Sequence, residues 1–92
     1  MNLLIKDRAK DDLKKFDKHI QKMFLDHFDK LLGIPPRRHL KHGIPVHTEK
    51  ITKQARFVYD YQEDTLMVFR CFWTHKEYEN WYHGDYQKDL SV

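Results

Sequence analysis

The chain has 92 residues, of which 40% are hydrophobic and 34% charged, and its formal net charge is +3. That length holds one domain, residues 1–92, with a single core and no second one. Its apolar runs fall far short of the roughly 20 residues of a membrane helix. The single cysteine, Cys71, has no partner for an internal disulfide. The apolar stretch Leu3-Leu4-Ile5 is too short for a secretory segment. The expectation is a reduced, cytoplasmic domain without a membrane partner.

Residues 2–6 carry Leu3, Leu4 and Ile5 and suit a brief strand. From Asp7 the period changes: Leu13, Phe16, Ile20, Phe24, Phe28 and Leu31 recur at spacings of three and four, one stripe on a helix. Met23 and Leu32 widen that stripe. Asp17 is placed to cap a second helix, so the region is either one bent helix or a helical hairpin. Gly33 and the pair Pro35-Pro36 end it.

Beyond that stop the period falls to two. Lys50 and Thr52 alternate with Glu49 and Ile51; Arg56, Val58 and Asp60 alternate with Phe57, Tyr59 and Tyr61. Leu66, Val68, Arg70 and Phe72 alternate with Met67, Phe69, Cys71 and Trp73. Lys53-Gln54 and Gln62-Glu63-Asp64 are polar breaks of hairpin length. Three antiparallel strands in a meander follow, and the polar, aromatic tail from Thr74 to Tyr86 ends in a short helix. The class is α+β in the order β-α-α-β-β-β, an antiparallel sheet packed on two helices with a short C-terminal helix.

Charge is unevenly spread along this order. Between Arg37 and Val58 stand Arg37, Arg38, Lys41, Lys50, Lys53 and Arg56 against Glu49 alone. A basic centre is the electrostatic footprint of a polyanion-binding surface, and equally of a solvated basic face. If Phe57, Tyr59 and Tyr61 pack on the helices, Arg56 points to the open face of the sheet, where an arginine can hold a phosphate in two-pronged fashion. Lys50 can donate to an anion. Glu49 is either a base or the partner of a lysine. His75 follows the last strand directly and exchanges a proton near neutral pH, as 2′-hydroxyl attack on an RNA phosphodiester requires. Lys76 can offset charge on the phosphorane, and Tyr78, Trp81 or Tyr82 can stack a base. His39-x-x-His42 with His47 lies around Gly43 and Pro45 without a cysteine, so no metal is expected. Cys71 reads as core, and the Phe16, Phe24 and Phe28 stripe as packing. No Gly-rich phosphate loop is present.

The run Leu40-Lys41-His42, then Glu49-Lys50-Ile51-Thr52-Lys53-Gln54-Ala55-Arg56-Phe57-Val58-Tyr59, then Asp64-Thr65-Leu66 and a strand ending in His75, resembles the RelE/ParE superfamily of bacterial toxins, nearest to its YoeB- and YafQ-like branch. Phe16-Asp17-Lys18-His19-Ile20-Gln21-Lys22 is similar to the helix-to-helix passage of that superfamily. The resemblance implies a RelE-like fold and the toxin of a type II toxin–antitoxin pair, an endoribonuclease cleaving mRNA in the A site of the 70S ribosome. It also implies a cognate antitoxin as partner and no cofactor. By the same resemblance Arg56 matches the strand arginine at the scissile phosphate, His75 the C-terminal general acid or base, and Lys50 a basic residue on the preceding strand. Arg37, Arg38, Lys41, Lys53, Lys76 and Tyr82 are the RNA-binding candidates. Arg38 stands where the YoeB branch carries its glutamate, which leaves Glu49 to act from a different geometry. A ParE-like inhibitor of DNA gyrase and a non-catalytic RNA- or antitoxin-binding relative are the alternatives.

Overall fold

The computed structural model of the chain describes residues 2–33 and 46–90, the Asp85 side chain excepted. Strand β1 (Asn2–Ile5) leads into helix α1 (Asp7–Lys14) and helix α2 (Lys18–Leu32). Asp17 decides between the two helical readings. Its backbone is extended, and its carboxylate accepts from the Ile20 amide at 2.9 Å, so one helix ends and another is capped: a hairpin. Helix α2 stops at Gly33, whose φ of −96° lies on the ordinary side of the map; the stop does not use glycine's left-handed freedom.

Strands β2 (His47–Lys50), β3 (Arg56–Gln62) and β4 (Thr65–Phe72) form the expected antiparallel meander. The sheet as a whole is mixed rather than antiparallel, because β1 joins in parallel on the far side of β4, giving the order β1-β4-β3-β2. The β3–β4 turn is Glu63-Asp64, with Glu63 at φ 54°, a backbone setting that costs a non-glycine residue free energy.

Two further expectations are corrected. Strand β2 ends at Lys50, and Thr52 belongs to the loop. Its hydroxyl accepts from the Gln54 and Ala55 amides at 3.1 and 2.9 Å, while the Ile51 and Thr52 amides turn to the Ala55 carbonyl. A threonine offering the backbone a local partner here outweighs the alternating pattern. In β4 the alternation breaks at a bulge: Val58 faces Arg70, but Tyr59 faces Val68, so Phe69 is the extra residue. Leu66 and Val68 therefore share the helix-side core with Cys71, while Met67 and Phe69 lie on the opposite face with Phe72.

The helical hairpin packs Phe24, Phe28 and Leu31 against Phe57, Tyr59, Leu66 and Val68. Rings of Phe28 and Phe57 meet edge-on at 4.8 Å. Each such buried aromatic or aliphatic side chain contributes about 1.5–3 kcal/mol. The other face of the sheet, expected to be open, is covered. Thr74 caps a helical run made of α3 (His75–Asn80), a π turn (Trp81–Asp85) and α4 (Tyr86–Leu90). Its Tyr78 and Trp81 close a second core over Val46, Val58, Met67, Phe69 and Phe72.

A buried polar cluster joins that run to the rest. Strand β1 ends beside Val68, which leaves the edge of β4 beyond it unpaired. Asp12 of α1 fills the gap by accepting from the Cys71 amide at 2.9 Å and from two nitrogens of Arg70 at 2.7 and 3.0 Å. Arg70 donates its third nitrogen to Asp89 at 3.0 Å, and Trp81 Nε1 donates to the same oxygen at 2.7 Å. Burial pulls the Arg70 guanidinium toward the neutral form, but the hydrogen bonds and charges of Asp12 and Asp89 outweigh it and hold the group charged.

Candidate functional site

Arg56 opens β3, paired with Lys50 on one side and Phe72 on the other. It is only 2% exposed. The expectation of an arginine on an open sheet face is thus corrected: the C-terminal helical run covers it. Nη2 donates to the Lys53 carbonyl at 2.9 Å, Nε has no hydrogen-bond partner among the described residues, and Cζ lies 5.1 Å from the Tyr78 ring centroid. A desolvated guanidinium over an aromatic face gains about 2 kcal/mol, which helps to offset the cost of burying it.

Tyr78 is the hub. Its hydroxyl lies 3.4 Å from the Thr48 hydroxyl, and its ring lies 6.3 Å from that of His75 and 6.1 Å from that of Tyr82. Tyr78 and Trp81 are 1% and 3% exposed, so of the three aromatic residues expected to stack a base only Tyr82, half-buried, reaches solvent.

His75 is the first residue of α3 and its side chain is 40% exposed. The local sequence fixes it from three directions. Thr74 and Glu77 form a capping pair: the Glu77 amide donates to Thr74 Oγ1 at 3.2 Å, and that hydroxyl donates to Glu77 Oε1 at 2.9 Å. The His75 amide donates to Gln54 Oε1 at 3.2 Å, tying the helix start to the β2–β3 loop. On the side chain, Nδ1 lies 3.1 Å from Glu79 Oε1, one helical turn on. Among the described residues Nε2 has no hydrogen-bond partner.

Lys50, Lys53 and Lys76 are exposed around these groups, and no ion pair involves them among the described residues. Lys50 shares the Arg56 face of the sheet by register; Glu49 pairs with Phe57 and lies on the opposite face. The structure therefore brings Arg56, His75 and Tyr82 around Tyr78, sets Lys50 beside Arg56 by register, and puts Glu49 on the other face. Arg37, Arg38 and Lys41, like His39 and His42, lie outside the described residues. His47 stacks on Tyr59 at 5.3 Å, and among the described residues no group of three potential ligands could hold a metal. Cys71 is buried, and burial, reinforced by the Asp12 charge, pushes its thiol well up.

Glu79, Gln54 and Thr48 are participants that sequence reasoning missed. The signal for Glu79 was present: Thr74-x-x-Glu77 is a helix start, and it puts His75 and Glu79 one turn apart on one face. Nothing in the sequence announces Gln54 or Thr48, whose contacts cross between elements.

No model of a known protein family matches the sequence, and no curated protein matches it. Solved structures do. The YoeB–YefM complex from Staphylococcus aureus superposes with a TM-score of 0.63 at 20% identity, covering 78% of this chain and 94% of that one. A copper-bound point mutant of a toxin from Helicobacter pylori superposes with a TM-score of 0.58 at 20% identity, covering 84% of this chain and 97% of that one. The chain has the RelE/YoeB-like fold.

Proposed function

We propose that this chain is the toxin of a type II toxin–antitoxin pair and that it cuts mRNA in the A site of the 70S ribosome. The fold likeness to YoeB supports the toxin reading, and the presence of YefM in that structure supports an antitoxin partner for this chain. The observation that carries the nuclease reading is the exposed His75 imidazole, held through Nδ1 by Glu79 beside lysines that form no ion pair among the described residues. In the reaction, neutral His75 takes the 2′-hydroxyl proton at Nε2 and the 2′ oxygen attacks phosphorus. The bond from phosphorus to the 5′ oxygen breaks, leaving a 2′,3′-cyclic phosphate and a 5′-hydroxyl protonated by water. Lys50 and Lys76 offset the charge that builds on the non-bridging oxygens. Lys53 and Tyr82 hold the strand beside them, with Arg37, Arg38 and Lys41 added on charge alone. Arg56 acts from behind the Tyr78 ring, as a positive charge in a poorly solvated site that fixes the ring and the Lys53 carbonyl.

A binding-only relative is the second reading, favoured by the burial of Arg56 and the position of Glu49 on the other face. Primer extension on a reporter mRNA in cell-free translation, with wild type beside His75→Ala, separates the two. Cuts at fixed codon positions that vanish in the variant support cleavage through His75. Full-length mRNA in every lane returns the chain to a binding role.

A further inference from the structure

At the far end of the C-terminal helical run lies a depression of about 320 Å³ between the end of β1, the start of α1 and α4. Four cations from these three elements line it: Lys6, Arg8, Lys10 and Lys88. Lys6, Lys10 and Lys88 take part in no ion pair among the described residues. Arg8 pairs with Asp89 Oδ1 at 3.5 Å, the oxygen that Arg70 and Trp81 leave open, since both donate to Oδ2. Asp7 is the other acid of the lining, so cations outnumber acids and the space is net positive, with Lys6, Lys10 and Lys88 carrying the excess. Its floor is apolar, with Leu4 44% exposed beside the buried Phe69.

We infer that this depression is a second RNA-binding site, gripping backbone phosphates away from the proposed cleavage site. The inference rests on the RNA reading above. Lysine ammonium groups are compact charges that bind phosphate without demanding a fixed fork. A phosphodiester strand repeats its charge at regular intervals, which suits cations spread over three elements, and its sugars can lie against Leu4. His75 and Lys88 stand at opposite ends of one helical run, roughly 20 Å apart at about 1.5 Å per residue. The strand held here is therefore several nucleotides from the scissile bond, or belongs to another RNA segment.

The test is fluorescence anisotropy with a 2′-O-methyl oligonucleotide long enough to span the helical run, which cannot be cut for want of a free 2′-hydroxyl. Wild type is compared with the combined Lys6→Gln, Lys10→Gln and Lys88→Gln variant over a salt series, with a urea midpoint to establish that the variant is folded. Losing three phosphate contacts lowers the slope of log affinity against log salt by about 2, and the affinity at low salt falls at least tenfold. Unchanged slope and affinity overturn the inference. So does an oligoglutamate peptide that binds wild type and not the variant while oligonucleotide binding stays the same, because the depression then serves an acidic polypeptide. Cleavage assays run in parallel keep the two readings apart. Wild-type cutting with unaltered binding by the variant removes this site alone, whereas absence of both cutting and binding in wild type removes the nuclease reading with it.

Discussion

The Arg56 guanidinium lies 5.1 Å beneath the centroid of the Tyr78 ring, and the two residues seal each other from water. The ring serves the second core and the site at once, so its two parts are separable by substitution. Tyr78→Phe keeps the ring over Arg56 and loses the hydroxyl and with it the contact with Thr48, a change of about 1 kcal/mol. Tyr78→Ala removes a fully buried aromatic and costs about 3–5 kcal/mol. Urea unfolding of the two variants reads the difference directly; equal midpoints would mean that Tyr78 does not close this core.

The cluster around Arg70 makes a second prediction. Asp12→Ala leaves the Cys71 amide unpaired and Arg70 with Asp89 alone, in a place where the Arg70 and Asp12 side chains are 14% and 9% exposed. Breaking one partner of a buried pair costs about 3–5 kcal/mol. The loss is expected in the urea midpoint. A variant that unfolds like wild type would show that the pair contributes nothing net.

For the proposed chemistry, His75→Ala lowers cleavage by about 10²–10⁴-fold with unfolding unchanged, since the side chain is exposed. Glu79→Gln retains bulk but weakens the hold on Nδ1. It lowers kcat by roughly tenfold and leaves KM alone, the pattern of a group that positions another rather than binding substrate. A rise in KM with kcat intact would assign Glu79 to RNA binding instead.

Cys71 supplies a pH dependence. Burial raises its thiol pKa in the folded state, so the native protein keeps a proton that the unfolded chain releases. Stability from this residue is complete below the ordinary thiol pKa of about 8.5 and declines as pH rises through it. Urea midpoints measured from neutral to alkaline pH should fall more steeply for wild type than for Cys71→Ala. In the native state the thiol should also resist iodoacetamide until urea exposes it.

Thr74→Ala removes the cap that starts the helix at His75 and costs about 1 kcal/mol, with a parallel loss of cleavage because His75 loses its fixed place. Thr74→Ser retains the cap and should behave as wild type in both measurements.

Much of this protein was legible in its residues. The apolar stripe from Leu13 to Leu31, the Asp17 cap, the alternation in Arg56–Gln62 and the polar break at Glu63-Asp64 depend on neighbours close in sequence, where local propensity and patterning act. Tertiary structure decided what depended on distant partners. The parallel pairing of β1, the bulge at Phe69 and the burial of Arg56 follow from how separate elements meet. An aromatic tail reads the same whether it stacks on a ligand or on the protein's own sheet. The contact with Val58, Phe69 and Phe72 made Tyr78 and Trp81 core residues and left His75, at the start of the same helical run, partly exposed. Composition and spacing set the elements; the second face of the sheet, an apolar surface that could not remain in water, determined where the last one went.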